Sequence, residues 1–439
     1  MSLSNIDKTS PIAILGGGAW GLSTALHLVE TGYTNITVFE RDERIPSQYS
    51  AAYDLNKIIR AEYEDPFYTS LTVDAMKAWK TPLFGPYYHQ TGYINCTSGR
   101  APEKSVVTLN KNLASVKAHP ELKDGVQSLS SPDEFRKFAW QLTGPLQGFQ
   151  GYFNKTAGYG HSGNTLKAVY NYCATKGVRF ILGEQAGKVT SLTYDNSGRV
   201  TGLETANGRK HSAALTIVAL GASGASLIPS LGKFAVGRSW SVAHIQLTEE
   251  ECDFLRGIPV TNVRDLGFFF EPDPATRLFK LCPLGAGFTN TNASNGISLP
   301  PANPSAGPLQ DFIPYEDEQK LRQLLRETIP WLADRPFVDR KLCWFSDTSD
   351  SEYCIDFVPG TDKSLVVLSG DSGHGFKMTP IFGKWVLDLI NNGGQKLQRW
   401  QWKGEQKAGW GSEVSWRVGT AKELRELEEE SKRILKARL

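Results

Sequence analysis

The stretch Gly16-Gly17-Gly18-Ala19-Trp20-Gly21, with the residues that flank it, restricts the fold of this chain more than any other feature. Before it runs Pro11-Ile12-Ala13-Ile14-Leu15, short and apolar, which predicts a strand buried on both faces. After it, Leu22, Ala25, Leu26 and Val29 share one helical face, and Thr31-Gly32 stops the helix. Ile36-Thr37-Val38-Phe39 is a second strand, and Glu40 follows it, 19 residues beyond Gly21. The pattern is a βαβ unit whose turn carries glycine at its first, third and sixth positions. Gly16 allows the sharp turn, Gly18 lets the backbone approach a pyrophosphate, and Gly21 lets helix and strand pack closely. Exposed amides at the helix start hold phosphates, and a carboxylate at the distance of Glu40 accepts hydrogen bonds from a ribose diol. An adenine dinucleotide site is therefore expected, built from Gly16, Gly18, Ala19, Trp20, Gly21, Glu40 and the adjacent Arg41.

At 439 residues the chain suits two interwoven domains, and 40% hydrophobic residues supply ample core material. The 48 Lys and Arg against 46 Asp and Glu leave a formal charge of +2, which gives no reason to expect nucleic acid as a partner. Six cysteines lie scattered without a Cys-x-x-Cys pair, so neither a metal site nor a disulfide framework is expected. Residues up to Ser10 are polar, so no secretory signal is expected. No apolar run reaches about 18 residues, so no membrane span is expected.

Further along, residues 161–177 have helical spacing, and 178–182 and 187–189 read as short strands. Residues 191–213 alternate like a hairpin around Asn196-Ser197-Gly198. Residues 215–220 are continuously apolar, another buried parallel strand, ending in Gly221-Ala222-Ser223-Gly224. Residues 244–247, 267–271 and 278–282 are alternating or aromatic and suggest a separate, largely antiparallel sheet. Residues 291–312 read as a surface loop and 317–329 as a helix. The nucleotide fold resumes with a strand at 364–368, a second glycine-rich turn at 369–375 and a helix at 381–390. Residues 421–436 read as a charged helix. The expected class is α/β: a discontinuous Rossmann-type domain over 1–85, 150–235 and 341–395, an α+β domain over 86–149 and 236–340, and a tail over 396–439.

Five ordered stretches carry a family resemblance: Gly16 to Gly21 with Glu40, Asp54-Leu55-Asn56-Lys57-Ile58-Ile59-Arg60, residues 267–271 with Lys280, Cys343-Trp344-Phe345-Ser346-Asp347-Thr348, and Gly373-His374-Gly375-Phe376-Lys377. Over about residues 10–390 the chain resembles the monomeric sarcosine oxidase group of flavoprotein amine oxidases, which includes fungal fructosyl amino acid oxidases and pipecolate or saccharopine oxidases. The resemblance implies FAD as cofactor, held by the glycine turn and by Lys57, Val189, Gly373, Gly375 and Lys377. It implies a thioether from Cys343 to the flavin, although a lone cysteine more often reads as a small buried thiol. It places Lys280 over the flavin as the cation that activates oxygen. By itself, a lysine in the apolar run Leu278-Phe279-Lys280-Leu281 is either a charge with a partner or a residue facing solvent.

Arg60 and Lys377 would bind the substrate carboxylate, one as a bidentate fork and one as a point charge. Arg417, beside Trp416, resembles a tail arginine that fructosyl enzymes use on substrate. Leu284 stands where those enzymes carry a glutamate for the sugar, and an apolar side chain accepts no hydrogen bond from a hydroxyl. The implied activity is oxidation of an N-substituted or cyclic α-amino acid such as L-pipecolate, saccharopine or sarcosine, with hydride passing to the flavin and oxygen ending as hydrogen peroxide. Oxidation of fructosyl amino acids is the alternative within the family, and a non-catalytic nucleotide-binding redox sensor the alternative outside it. The family tends to monomers. The ending Ala437-Arg438-Leu439 resembles a peroxisomal signal.

Overall fold

The structure is a computed structural model that describes residues 6–302, 311–404, 414, 417, 419–427, 429 and 433. At its centre lies β1 (Ile12–Leu15), joined through α1 (Ala19–Glu30) to β2 (Ile36–Glu40). β1 pairs in parallel with β2 on one side and with Leu215–Val218 on the other, Ile12 lying opposite both Ile36 and Leu215. All four residues of β1 are buried, which is why that run carries no polar alternation. Arg179–Leu182 extends this sheet beyond β2, and Leu365–Ser369 and then Cys354–Phe357 extend it beyond Leu215–Val218. Only the last of these six strands runs antiparallel. The sheet thus recruits three separated stretches of chain, as expected for a discontinuous Rossmann-type fold.

A second, ten-stranded sheet is built largely of antiparallel neighbours. A short strand, β3 (Lys57–Ile59), lies outside it, in a three-stranded sheet with Gly158–Gly160 and Tyr88–His89; the principal members of the ten-stranded sheet are β4 (Ala235–Gln246), β5 (Leu278–Pro283) and β6 (Val338–Thr348). β4 is long enough to pair with both β5 and β6, and places Trp240 opposite Cys343 and His244 opposite Lys280. One apolar core underlies the six-stranded sheet and its helices, and a separate one backs the antiparallel sheet around Phe269, Phe279, Leu321 and Leu325.

Five expectations need correction. Gln150–Asn154 belongs to the antiparallel sheet, exchanging hydrogen bonds with Tyr93–Thr97 and Val126–Leu129, so the boundary expected at 150 falls inside that layer. The boundary expected at 341 likewise cuts β6. Residues 191–213 contribute to three strands rather than one hairpin, because Asn207-Gly208 makes a second turn, and the expected strand at 187–189 starts only at Val189. Lys422–Glu423 is a short strand parallel to Phe288–Thr289, so helix begins at 424 rather than 421. Among the described residues no helix is long and apolar enough to cross a membrane, and no His, Cys, Asp or Glu cluster could hold a metal ion.

Candidate active site

The glycine turn fits a dinucleotide on steric grounds. Gly16 has φ +107°, and a Cβ there would lie 2.5 Å from the Ala219 carbonyl oxygen. A Cβ on Gly21 would lie 1.9 Å from the Gly16 carbonyl oxygen, so this glycine is required for helix and strand to close. Gly18 differs: a Cβ there would meet only Ser50, at 3.1 Å from its Oγ, which leaves an open cradle. No side chain caps the start of α1, so its first amides are free for phosphate. Glu40 accepts hydrogen bonds from the Gly17 amide (2.9 Å), the Asp42 amide (3.0 Å) and the Ser47 hydroxyl (2.8 Å). These bonds fix its carboxylate against the loop. The Trp20 ring stacks on Phe382 at 4.1 Å between centroids, so its side chain is core and only its backbone faces the turn. Arg41 lies over the Tyr49 ring, 3.7 Å from the centroid, and pairs with Glu184 at 3.5 Å. Val189 heads a strand that follows the 183–187 turn, and the Gly183 amide donates to the Glu40 carbonyl.

From β2 the chain passes to β3, where the charged residues converge. Lys57, Arg60, Lys280, Cys343, His374 and Lys377 all line one cavity of about 710 Å³. Lys280, on β5, is only 1% exposed, which removes the solvent-facing alternative. Its Nζ lies 2.5 Å from Asp54 Oδ2, donates to the Asn56 carbonyl at 2.7 Å and sits 4.9 Å from the Phe270 ring centroid. Lys57 Nζ approaches the same carboxylate oxygen at 2.9 Å. Burial alone would raise the Asp54 carboxyl, but the two ammonium groups hold it well below the usual range. Cys343 Sγ accepts from Lys57 Nζ at 3.7 Å, and its thiol donates to the Ala51 carbonyl at 3.5 Å. The same cysteine lines a second cavity of about 700 Å³ with Arg41, Tyr49 and Ser50, so it stands where two cavities meet.

Arg60 and Lys377 approach from another wall. Arg60 donates to the Glu62 carbonyl and lies 5.6 Å from the Tyr63 ring centroid. Lys377 Nζ donates to the Tyr63 hydroxyl at 3.1 Å and the His374 carbonyl at 3.0 Å. Burial, followed by the Arg60 charge, pushes its ammonium well below the ordinary lysine range. His374 Nε2 donates to the Ser351 carbonyl at 3.0 Å, which leaves Nδ1 to accept from the Tyr63 and Tyr353 hydroxyls, each at 3.0 Å. Burial and the neighbouring Lys377 push this imidazole down to about 3, so it is neutral. Gly373, with φ +72°, tucks under Trp240, where a Cβ would come within 2.3 Å of the ring. A Cβ on Gly375 would meet Trp20 at 2.7 Å, so both glycines of the second turn have steric reasons.

The two positions compared with fructosyl enzymes, Leu284 and Arg417, differ in placement. Leu284 lines the cavity. Val414 is the described tail residue on the wall, whereas the Arg417 guanidinium is bound to the Asp347 carboxylate and donates to the carbonyls of Thr348 (2.7 Å) and Ser349 (3.2 Å). Arg417 thereby braces the 348–350 wall from behind. Trp416 lies outside the described residues. Reading the sequence missed Tyr63, His374, Glu62 and Arg264 as site residues. Only His374 had a local signal, its place in the second glycine turn.

A family model described as DAO, FAD dependent oxidoreductase, matches residues 11–389. The chain is 31% identical over 431 residues to L-saccharopine oxidase of Schizosaccharomyces pombe, covering 92% of this chain and 95% of that protein. Among solved structures, the deglycating fructosamine oxidase of Aspergillus fumigatus (Amadoriase II) superposes with a TM-score of 0.84 at 32% identity, covering 96% of this chain and 97% of that one. Fructosyl peptide oxidase from E. terrenum gives a TM-score of 0.87 at 29% identity, covering 96% and 98%.

Proposed function

The chain belongs to the FAD dependent oxidoreductase family, and from that premise we propose that it is an oxidase of secondary amines whose substrate is an N-substituted or cyclic α-amino acid. FAD is the cofactor; when bound it accepts two electrons from the amine carbon and returns them to oxygen. The observation that carries the reading is convergence: a carboxylate-binding pair, Arg60 and Lys377, shares one cavity with Cys343 and the Lys57–Asp54–Lys280 cluster. Arg60 offers a planar fork and Lys377 a second donor, enough to orient an amino acid within the cavity. Hydride can leave the amine carbon only when the nitrogen lone pair is free, so the substrate reacts as its neutral base. Lys280 supplies a fixed charge, held by Asp54, to stabilise the anion formed as oxygen takes its first electron. The neutral His374 holds Tyr63, and Tyr63 in turn accepts from Lys377, so this chain positions rather than abstracts. Leu284 on the cavity wall favours an amino acid over a sugar adduct, although the similar solved structures are named for fructosyl substrates.

Cys343 is the residue that would carry a thioether to the flavin, because its sulfur lies at the junction of the two cavities, 3.7 Å from Lys57 Nζ. Acid precipitation of the purified yellow protein tests this. Flavin absorbance is expected to stay with the pellet, and to pass to the supernatant in Cys343→Ser. Free flavin from the unmodified protein would remove the link. The address proposed is the peroxisome, from Ala437-Arg438-Leu439, which lie outside the described residues.

A further inference from the structure

Arg264 is a buried cation without a side-chain partner among the described residues, the Glu64 carboxylate acting on it only from beyond contact. It is 7% exposed and lines the charged cavity, and only its backbone amide is bonded, to the Cys96 carbonyl. Its Nε is sealed from solvent without a hydrogen-bond partner, and among the described residues its side chain makes no hydrogen bond and no ion pair. Burial pushes even this guanidinium below its usual range, with the Arg60 charge adding to that effect. Glu64, the carboxylate on this side of the cavity, spends one oxygen on Lys111 at 3.2 Å and leaves Arg264 uncontacted. Asn112, buried at 4% exposure and lining the same cavity, likewise makes no side-chain hydrogen bond among the described residues.

A buried guanidinium left unpaired is costly. Such a group persists where a ligand supplies the missing anion, and its fork suits a carboxylate. Arg60 and Lys377 already account for the α-carboxylate. We propose that Arg264, assisted by Asn112, binds a second carboxylate of the substrate, so that the site takes N-substituted amino acids with a carboxylate on the arm remote from the oxidised carbon. This rests on the amine-oxidase reading for the word substrate, but its test does not depend on turnover.

The test is binding to the holoenzyme of three dicarboxylates, succinate, glutarate and adipate, each against the monocarboxylate of equal length, butanoate, pentanoate and hexanoate. Titration calorimetry and the perturbation of the flavin absorption band both report the affinity. At least one dicarboxylate is expected to bind about 10- to 100-fold more tightly than its partner, the range for a charge-assisted hydrogen-bonded pair. Arg264→Gln should abolish that preference and Arg264→Lys restore part of it. Equal binding of all pairs to the unmodified protein would overturn the proposal, even if the enzyme oxidises monocarboxylic amines, and that comparison decides the matter should the variants fail to fold. A preference that survives Arg264→Gln would overturn it equally. Absence of oxidation with every secondary amine would instead count against the amine-oxidase reading and leave the binding comparison valid.

Discussion

Lys280 shows how one residue can be readable in its cost and unreadable in its solution. An ammonium group in an apolar strand demands a partner, and the partner is Asp54, 226 residues away in sequence and 2.5 Å away in space. Because Asp54 also holds Lys57, replacing Lys280 leaves the carboxylate with one counter-charge rather than none. Lys280→Met should therefore fold, with reduced thermal stability, and lose the cation offered to oxygen. Anaerobic stopped flow is expected to show reduction by substrate largely retained, and aerobic mixing to show the oxygen-consuming half slowed by about 100- to 1000-fold, the scale of removing one donor at other anion sites. Equal slowing of both halves would assign Lys280 a structural role. Arg264 was less legible still: it follows the short strand Val260–Val263, which carries no local signal of a site, and only the packing around it leaves its charge without a partner among the described residues.

At the scale of elements, the glycine turn was legible because each glycine answers a local steric demand, and the demands differ. Gly21 is needed for packing, since a Cβ would strike the Gly16 carbonyl, whereas Gly18 borders open space save for Ser50. Gly18→Ala is accordingly expected to keep native circular dichroism while its flavin-to-protein ratio falls, and Gly21→Ala to lose structure and flavin together. Full flavin occupancy in Gly18→Ala would show that the cradle is not where the phosphates sit. Buried parallel strands announced themselves by unbroken apolar runs; Gln150–Asn154 did not. Its five residues pair with strands at Tyr93–Thr97 and Val126–Leu129, and no local pattern names those partners or the sheet they form. The same holds for Lys422–Glu423, whose strand exists only because Phe288–Thr289 lies alongside.

Across the whole molecule, the candidate site lies where the two sheets meet. β1, α1 and β2 bring the dinucleotide cradle, β5 brings Lys280, β6 brings Cys343, and the turn after Leu365–Ser369 brings His374 and Lys377. The motifs were each visible in sequence, but the convergence of Lys57, Arg60, Lys280, Cys343 and Lys377 on one cavity, and of Tyr63, Glu62 and Arg264 with them, depended on contacts between distant segments. The proposed address is also a property of the whole chain, since a terminal tripeptide is read only when it is free. A fluorescent protein fused to the N-terminus should concentrate in peroxisomes, and become diffuse when the last three residues are deleted; a diffuse signal from both fusions would remove that address. The oxidase reading is tested most directly by mixing the purified holoprotein, without oxygen, with L-pipecolate, saccharopine, sarcosine and a fructosyl amino acid in turn, and then admitting air. At least one of the first three is expected to bleach the flavin band, with air restoring it and releasing one hydrogen peroxide for each substrate consumed. An unchanged spectrum with all three would contradict the proposed function, and bleaching by the fructosyl amino acid alone would reassign the substrate.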